Sequence, residues 1–188
     1  MLIAVSSRSY YWALSFRLCT NENSKGQDFY NIHDVISMIR LISDMQHARV
    51  IDLSHMGIDN VPDSICEMKR LRLLNLSGNP FSKLPNLFWQ LNDLETLKLE
   101  TCHRLKQWPN DMKNVVSLQH LLISVCFLEN MPLEFGKFVN LQMLYALIVG
   151  KSNNNHGIQQ LKDLDMLIGS ICIVNLENVR SHDICKGS

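Results

Sequence analysis

The sequence has no charge surplus of either sign: 18 Lys and Arg stand against 18 Asp and Glu in 188 residues. Nucleic-acid binding through counterion release, or adsorption to an anionic membrane surface, draws on an excess of Lys and Arg, so neither is indicated. No run of 18 apolar residues occurs, which argues against a transmembrane helix. The apolar start Met1 to Val5 is soon diluted by Ser6, Ser7, Arg8 and Ser9, leaving too short a core for a secretory leader. The six cysteines, at 19, 66, 102, 126, 172 and 185, form no CxxC pair. They read as reduced thiols of a cytoplasmic protein.

Catalytic and cofactor signatures are missing as well. No GxSxG elbow, no HExxH helix and no GxxxxGK[ST] phosphate loop is present, so the sequence offers no hydrolase, metalloprotease or nucleotide site. Cys102 with His103, and His120 with Cys126, lack the close ligand spacing of a zinc site. Asp163 and Asp165 have nothing to make them an acid–base pair, and Lys69, Arg70 and Arg72 lie beside Asp63 and Glu67 as a solvated face. The formal sequon Asn75-Leu-Ser77 falls inside an expected strand, and Cys185-Lys-Gly-Ser188 lacks the aliphatic residues of a prenylation box. The expectation is a protein that is not an enzyme and carries no cofactor or metal.

What is present is a repeat. Pro62, Pro85, Pro109 and Pro132 are 23, 24 and 23 residues apart, a spacing typical of solenoids. Apolar residues hold the same register: Ala48, Ile51 and Leu53 recur as Leu71, Leu74 and Leu76, then Leu94, Leu97 and Leu99, then Leu118, Leu121 and Ile123. Around each proline the pattern continues with Ile58, Phe81, Leu105 and Leu128, then Val61, Leu84, Trp108 and Met131. Beyond it come Ile65, Phe88, Met112 and Phe135, then Met68, Leu91, Val115 and Phe138.

This is the leucine-rich-repeat pattern LxxLxLxxN/C. A short strand sends Leu74 and Leu76 inward and Asn75 and Ser77 outward, by the period-two alternation of extended backbone. Asn79, Cys102 and Cys126 take the inward turn position, where Asn can bond freed backbone groups and a thiol acts as a small hydrophobe. Met56 stands there in the first unit and makes no such bonds, so a looser first coil is expected. Proline then fixes the start of a return segment suited to one or two helical turns. The fold class is therefore α/β: a leucine-rich-repeat solenoid of about five to six coils with a parallel concave sheet.

The wording Leu-Pro-x-x-Ile/Phe-x-x-Leu followed by LxxLxL resembles plant intracellular nucleotide-binding leucine-rich-repeat (NLR) disease-resistance proteins of the coiled-coil type. Arg49 to Ser54, Leu71 to Gly78, Leu94 to Cys102 with Trp108-Pro109, and Gly157 to Val179 carry the resemblance. It implies protein recognition in plant defence. The partner would be a pathogen effector, a guarded host protein, or the nucleotide-binding domain of a parent receptor. Residues 1–44 show neither coiled-coil nor nucleotide-binding motifs and read as a short helix or degenerate capping coil, Val35 to Met45. Residues 45–180 form the repeat domain with a flexible loop at 150–156, and 181–188 a tail. The chain reads as a truncated member; alternatives are a scaffold of the Ras-group-like kind or a nonfunctional receptor fragment.

The candidate binding face is the concave sheet, because the outward residues of aligned strands form one field. Its members are Arg49, Asp52, Arg72, Asn75, Glu95, Lys98, Glu100, Gln119, His120, Gln142 and Tyr145. Solenoids also need polar caps, and the recognisable repeat runs to Val179, so an exposed terminal core and marginal stability are expected.

Overall fold

The computed structural model describes residues 13–15, 47–109, 111–123, 128–132, 134–151 and 158–179. The expected helix before Met45, Cys126, most of the 150–156 loop and the tail lie outside them.

Six short strands form one parallel sheet in chain order: β1 (Ala13–Ser15), β2 (Val50–Asp52), β3 (Leu73–Asn75), β4 (Thr96–Leu99), β5 (His120–Ile123) and β6 (Met143–Leu144). A second, two-stranded parallel sheet pairs β7 (Ala146–Ile148) with β8 (Cys172–Val174). Strand neighbours are repeat neighbours: Ile51 faces Leu74, Leu74 faces Leu97, and Leu97 faces Leu121. The leucine spacing read from sequence is thus the hydrogen-bond register itself.

Burial follows the same rule. In β4 and β5 half-buried and buried positions alternate, and the inward residues Ile51, Leu74, Leu97 and Leu121 are wholly buried. The second apolar column, Ile65, Phe88, Met112 and Phe135, closes the core from the back. Trp108 departs from the pattern. It is partly buried against the core, and its indole Nε1 donates to the carbonyl of Asn130 in the next coil at 3.0 Å.

The back of each coil is a 3-10 turn, as at Asp63–Glu67, Asn86–Gln90 and Met112–Asn114. Pro62, Pro85 and Pro109 give their carbonyls to the N–H groups of Ile65, Phe88 and Met112. The first two turns stop in the same way. Met68 (φ −80, ψ 67) and Leu91 (φ −75, ψ 67) stand at the centre of an inverse γ-turn, closed by bonds from Lys69 N to Glu67 O and from Asn92 N to Gln90 O. The residue is apolar because the bend drives it inward, to 1% and 0% exposure.

After each strand the chain must turn sharply. His55, Gly78 and Thr101 occupy that corner in successive coils, and all have positive φ. Asn79 lies just inside it, 1% exposed, and makes five hydrogen bonds. Its Oδ1 accepts from Met56 N and Ile58 N, each at 3.0 Å. Its Nδ2 donates to Leu53 O and Leu76 O at 2.8 Å and to Ser77 O at 3.3 Å. Three of these partners belong to the preceding coil. The methionine turn is therefore completed by its neighbour, and the backbone around Met56 is not left free as its side chain suggested. Cys102 reaches back in the same sense, its Sγ donating to Leu76 O at 3.3 Å.

The last coil is more open. Met166, Ile168, Ile173 and Leu176 are 42 to 70% exposed, although Asn178 still reaches back to Val149 O at 2.9 Å.

Replacing Asn79 by Leu leaves two buried N–H groups of the preceding coil without their acceptor, a loss of about 2–4 kcal/mol. Urea unfolding is expected to show a lower midpoint. Hydrogen exchange is expected to show selective loss of protection at Met56 and Ile58, and unchanged protection there would sink this account of Asn79.

Candidate recognition surface

Four rows of side chains run across the sheet, set by the register. The first is Arg49, Arg72, Glu95, Gln119 and Gln142. Their backbones are chained by N–H to O bonds of 2.7 to 2.9 Å, and the carbonyls of Arg49, Arg72, Glu95 and Gln119 also accept from Leu73, Thr96, His120 and Met143. The second row is Val50, Leu73, Thr96, His120 and Met143. Asp52, Asn75, Lys98 and Leu122 form the third, continued by Tyr145, whose N–H reaches Leu121 O at 3.5 Å. Ser54, Ser77 and Glu100 make a fourth. The backbone between rows is used up in the sheet, so this surface acts through side chains.

Sequence reasoning placed eleven residues on this face, and the fold brings all of them to it, in differing conditions. Arg49, Arg72, Glu100 and Tyr145 are exposed; Asp52, Asn75, Glu95, Lys98, Gln119, His120 and Gln142 are half-buried. Arg72 Nη1 pairs with Glu95 Oε1 at 3.4 Å. Thr96 Oγ1 and His120 Nδ1 share a hydrogen bond at 3.2 Å.

The polar side nearest β2 and β3 is bonded to itself. Asp52 Oδ1 accepts from Ser54 N at 3.0 Å and Ser54 Oγ at 2.6 Å, while Asp52 Oδ2 accepts from Asn75 Nδ2 at 3.1 Å. Asn75 Oδ1 takes the N–H of Ser77, and Ser77 Oγ takes the N–H of Glu100. Ser77, expected to face outward, is in consequence 7% exposed. This ladder ties three coils side to side. Partial burial acts to raise the Asp52 pKa, but the Ser54 and Asn75 bonds and the Lys98 charge outweigh it and hold the carboxyl below its ordinary value.

Two apolar residues also stand exposed on this face. Met143 is 43% exposed and Ile168 is 70% exposed. Ile168 takes the place of Gln142 in the next coil, since its N–H bonds to Gln142 O at 2.9 Å. Aligning Leu167 with Leu141 would have found it.

The two buried thiols, Cys66 and Cys102, are chemically quiet. Burial, with the charges of Asp63 and Glu67, pushes Cys66 up to about 12, and burial likewise raises Cys102. Among the described residues no three His, Cys, Asp or Glu side chains converge as a metal site. A polar groove of about 440 Å³ lies on the back, between the first two turns, lined by Asn60, Asp63, Lys83 and Asn86 among others. It gathers no nucleophile with a base. No helix among the described residues is long and apolar enough to cross a membrane.

Because the Asp52 pKa is depressed in the folded chain, its contribution to stability is present above the unfolded value and is lost as pH falls through the folded one. Asp52→Asn is expected to flatten the acid limb of the stability curve below about pH 4. Urea midpoints measured across that range would check it, and an identical acid limb in the variant would count against the ladder.

The comparisons with known proteins agree with this geometry. The leucine-rich-repeat region family matches residues 28–185. In Arabidopsis thaliana, a protein assigned by name to disease resistance is 32% identical over 139 residues, covering 74% of this chain and 10% of the relative. The disease resistance RPP13-like protein 4 of the same plant is 27% identical over 136 residues, covering 69% and 16%. The plant intracellular Ras-group-related LRR protein 8 of Oryza sativa subsp. japonica is 30% identical over 101 residues, covering 52% and 26%. The chain thus spans between a tenth and about a quarter of these relatives. Among solved structures, an LRR protein of Leptospira interrogans superposes with a TM-score of 0.58 at 21% identity, over 70% of this chain and 34% of that one, and shows the same fold. With the leucine columns, the asparagine turn and the family match in agreement, the chain belongs to the leucine-rich-repeat region family, in the form that plant disease-resistance proteins carry.

Proposed function

We propose that this chain is the protein-recognition part of a plant disease-resistance receptor, reading a partner on its concave sheet and performing no catalysis. The observation that carries the reading is the field of outward side chains on aligned strands, from Arg49 to Tyr145, laid over a backbone whose own polar groups are paired. Its mixture of charged, amide and aromatic groups suits a protein surface rather than a small molecule, which would want a concave apolar pocket. The disease-resistance relatives support placement in a defence receptor, and the rice relative named as intracellular supports a cytoplasmic one. The partner is a pathogen effector, a guarded host protein, or the nucleotide-binding domain of the parent receptor.

The similarity to the rice Ras-group-related protein favours one other reading, an intracellular scaffold built from the same repeat. The size of the natural product separates the two. An antibody against residues 150–188 is expected to detect, in source tissue, a product several times the 21.7 kDa of this chain. A band at about twice that mass, the size that the coverage of the rice relative implies, would favour the scaffold.

Recognition itself is tested with a photo-crosslinking amino acid placed at Gln119 on the sheet face or at Asn86 on the back. Cross-linking to one defined protein from Gln119 and not from Asn86 is expected. Equal capture from both positions, or from Asn86 alone, would overturn the concave-face reading.

A further inference from the structure

Of the described histidines, only His120 stands on a strand of the six-stranded sheet. It lies in the second row, between Thr96 on β4 and Met143 on β6, and is half-buried there. Thr96 Oγ1 and His120 Nδ1 share a hydrogen bond at 3.2 Å. Among the described residues nothing else in the chain bonds the ring, so Nε2 is its unused nitrogen.

A hydroxyl suits this place because it both donates and accepts, and rotates to match its partner. Opposite a neutral ring Thr96 can give its proton to Nδ1, and opposite a charged ring it accepts one from Nδ1–H. The imidazole can therefore gain a proton without turning and without losing its hydrogen bond. In the charged form Nε2–H is committed to donating. Imidazole is the side-chain group whose charge changes between about pH 5 and 8.

The surroundings decide what the charged ring meets. From β4 the charged groups on its side of the sheet are Glu95, Lys98 and Glu100. Glu95 is drawn toward the coil on the far side of β4, where its Oε1 pairs with Arg72 Nη1 at 3.4 Å. Lys98 has the same sign as the ring, and Glu100 lies roughly 13 Å along the strand from the level of Thr96. From β6 and its flanks come Gln142, Met143 and Tyr145, and from β5 and its flank Gln119 and Leu122. Of these only the Tyr145 phenol is titratable. No carboxylate of the described chain is thus placed to neutralise His120, and an imidazolium here finds its counter-charge in whatever lies over the face.

We infer that His120, held by Thr96, is the specificity residue of the recognition face: protonated, it donates from Nε2 to a carboxylate on an acidic segment of the partner protein. Thr96 is its positioning residue. Because the complex favours the charged ring, it takes up a proton as it forms, and recognition strengthens as pH falls from about 8 to 6. This rests on reading the concave sheet as a recognition surface and adds the partner chemistry and a proton dependence.

The test is to pan the immobilised full chain at about pH 6 with a random peptide library displayed on phage. Recovered peptides that lack histidine are then titrated at about pH 6 and pH 8. They are expected to share an Asp or Glu and to bind about tenfold more tightly at the lower pH. His120→Gln should remove that difference, and Thr96→Val should shrink it while the urea midpoint stays near the parent value. The back-face control Asn86→Ala should leave it intact. Peptides that bind equally at both pH values, or keep their pH dependence in His120→Gln, but fail on Arg72→Glu would overturn the inference and leave the recognition face standing. Peptides without a carboxylate whose pH dependence His120→Gln abolishes would assign Nε2 to a neutral acceptor and overturn the inference as well. Recovery of no peptide, or of peptides lost only on Asn86→Ala, would overturn both.

Discussion

No coil of this protein can bury its own leucines. A strand of three or four residues and a turn of similar length enclose too little, so each apolar row is covered only when the next row lies against it. Everything else follows from that requirement. The strands are parallel and paired in chain order because only then do Ile51, Leu74, Leu97 and Leu121 stack in one column. The side chains between them are forced outward on one face, which is how a packing rule creates a broad surface free for recognition. The same rule places the thiols of Cys66 and Cys102 in the interior, where burial keeps them protonated and unreactive.

Much of this was legible from residue spacing alone. The inward columns of the four central repeats were read by period, and nearly all are buried, because a solenoid repeats one environment and a single alignment fixes every copy. Trp108 is the exception, since an indole in a leucine position keeps its N–H at the edge to bond Asn130. The face residues were legible for the same reason: alternation decides which side chains leave the core. What spacing did not show is how those residues treat one another. Asp52, Ser54, Asn75 and Ser77 look alike in sequence to free polar contacts, yet their short side chains close a ladder that sequence periodicity does not encode. The crossing of the chain from one sheet to the other at Tyr145 was hidden too. Leu141, Leu144 and Ala146 keep the repeat spacing through it, and only the change of pairing partner reveals it. Ile168 was missed because Gly169 and Ser170 follow Leu167, where the pattern wants an apolar residue.

The two halves of the sheet face therefore differ in kind. Near β2 and β3 the polar groups already have partners, and their work is to hold coils in line. Toward β5 and β6 the side chains are larger, less polar and less occupied with their neighbours. One half of the face is thus structurally committed, and the other is not. Variation at the exposed Met143, Tyr145 or Ile168 would cost little stability, whereas variation in the Asp52 ladder would loosen the frame.

The backward reach of Asn79 gives the chain a direction in time. Its side chain completes Leu53, Met56 and Ile58, residues made earlier, and Cys102 does the same for Leu76. On a ribosome these coils would each stay unfinished until the next turn residue emerges. A spacing of 23 residues corresponds to a delay of roughly 1–5 s at ordinary rates of translation. Synthesis and folding would advance together one repeat out of step, with the newest coil held open until its successor arrives.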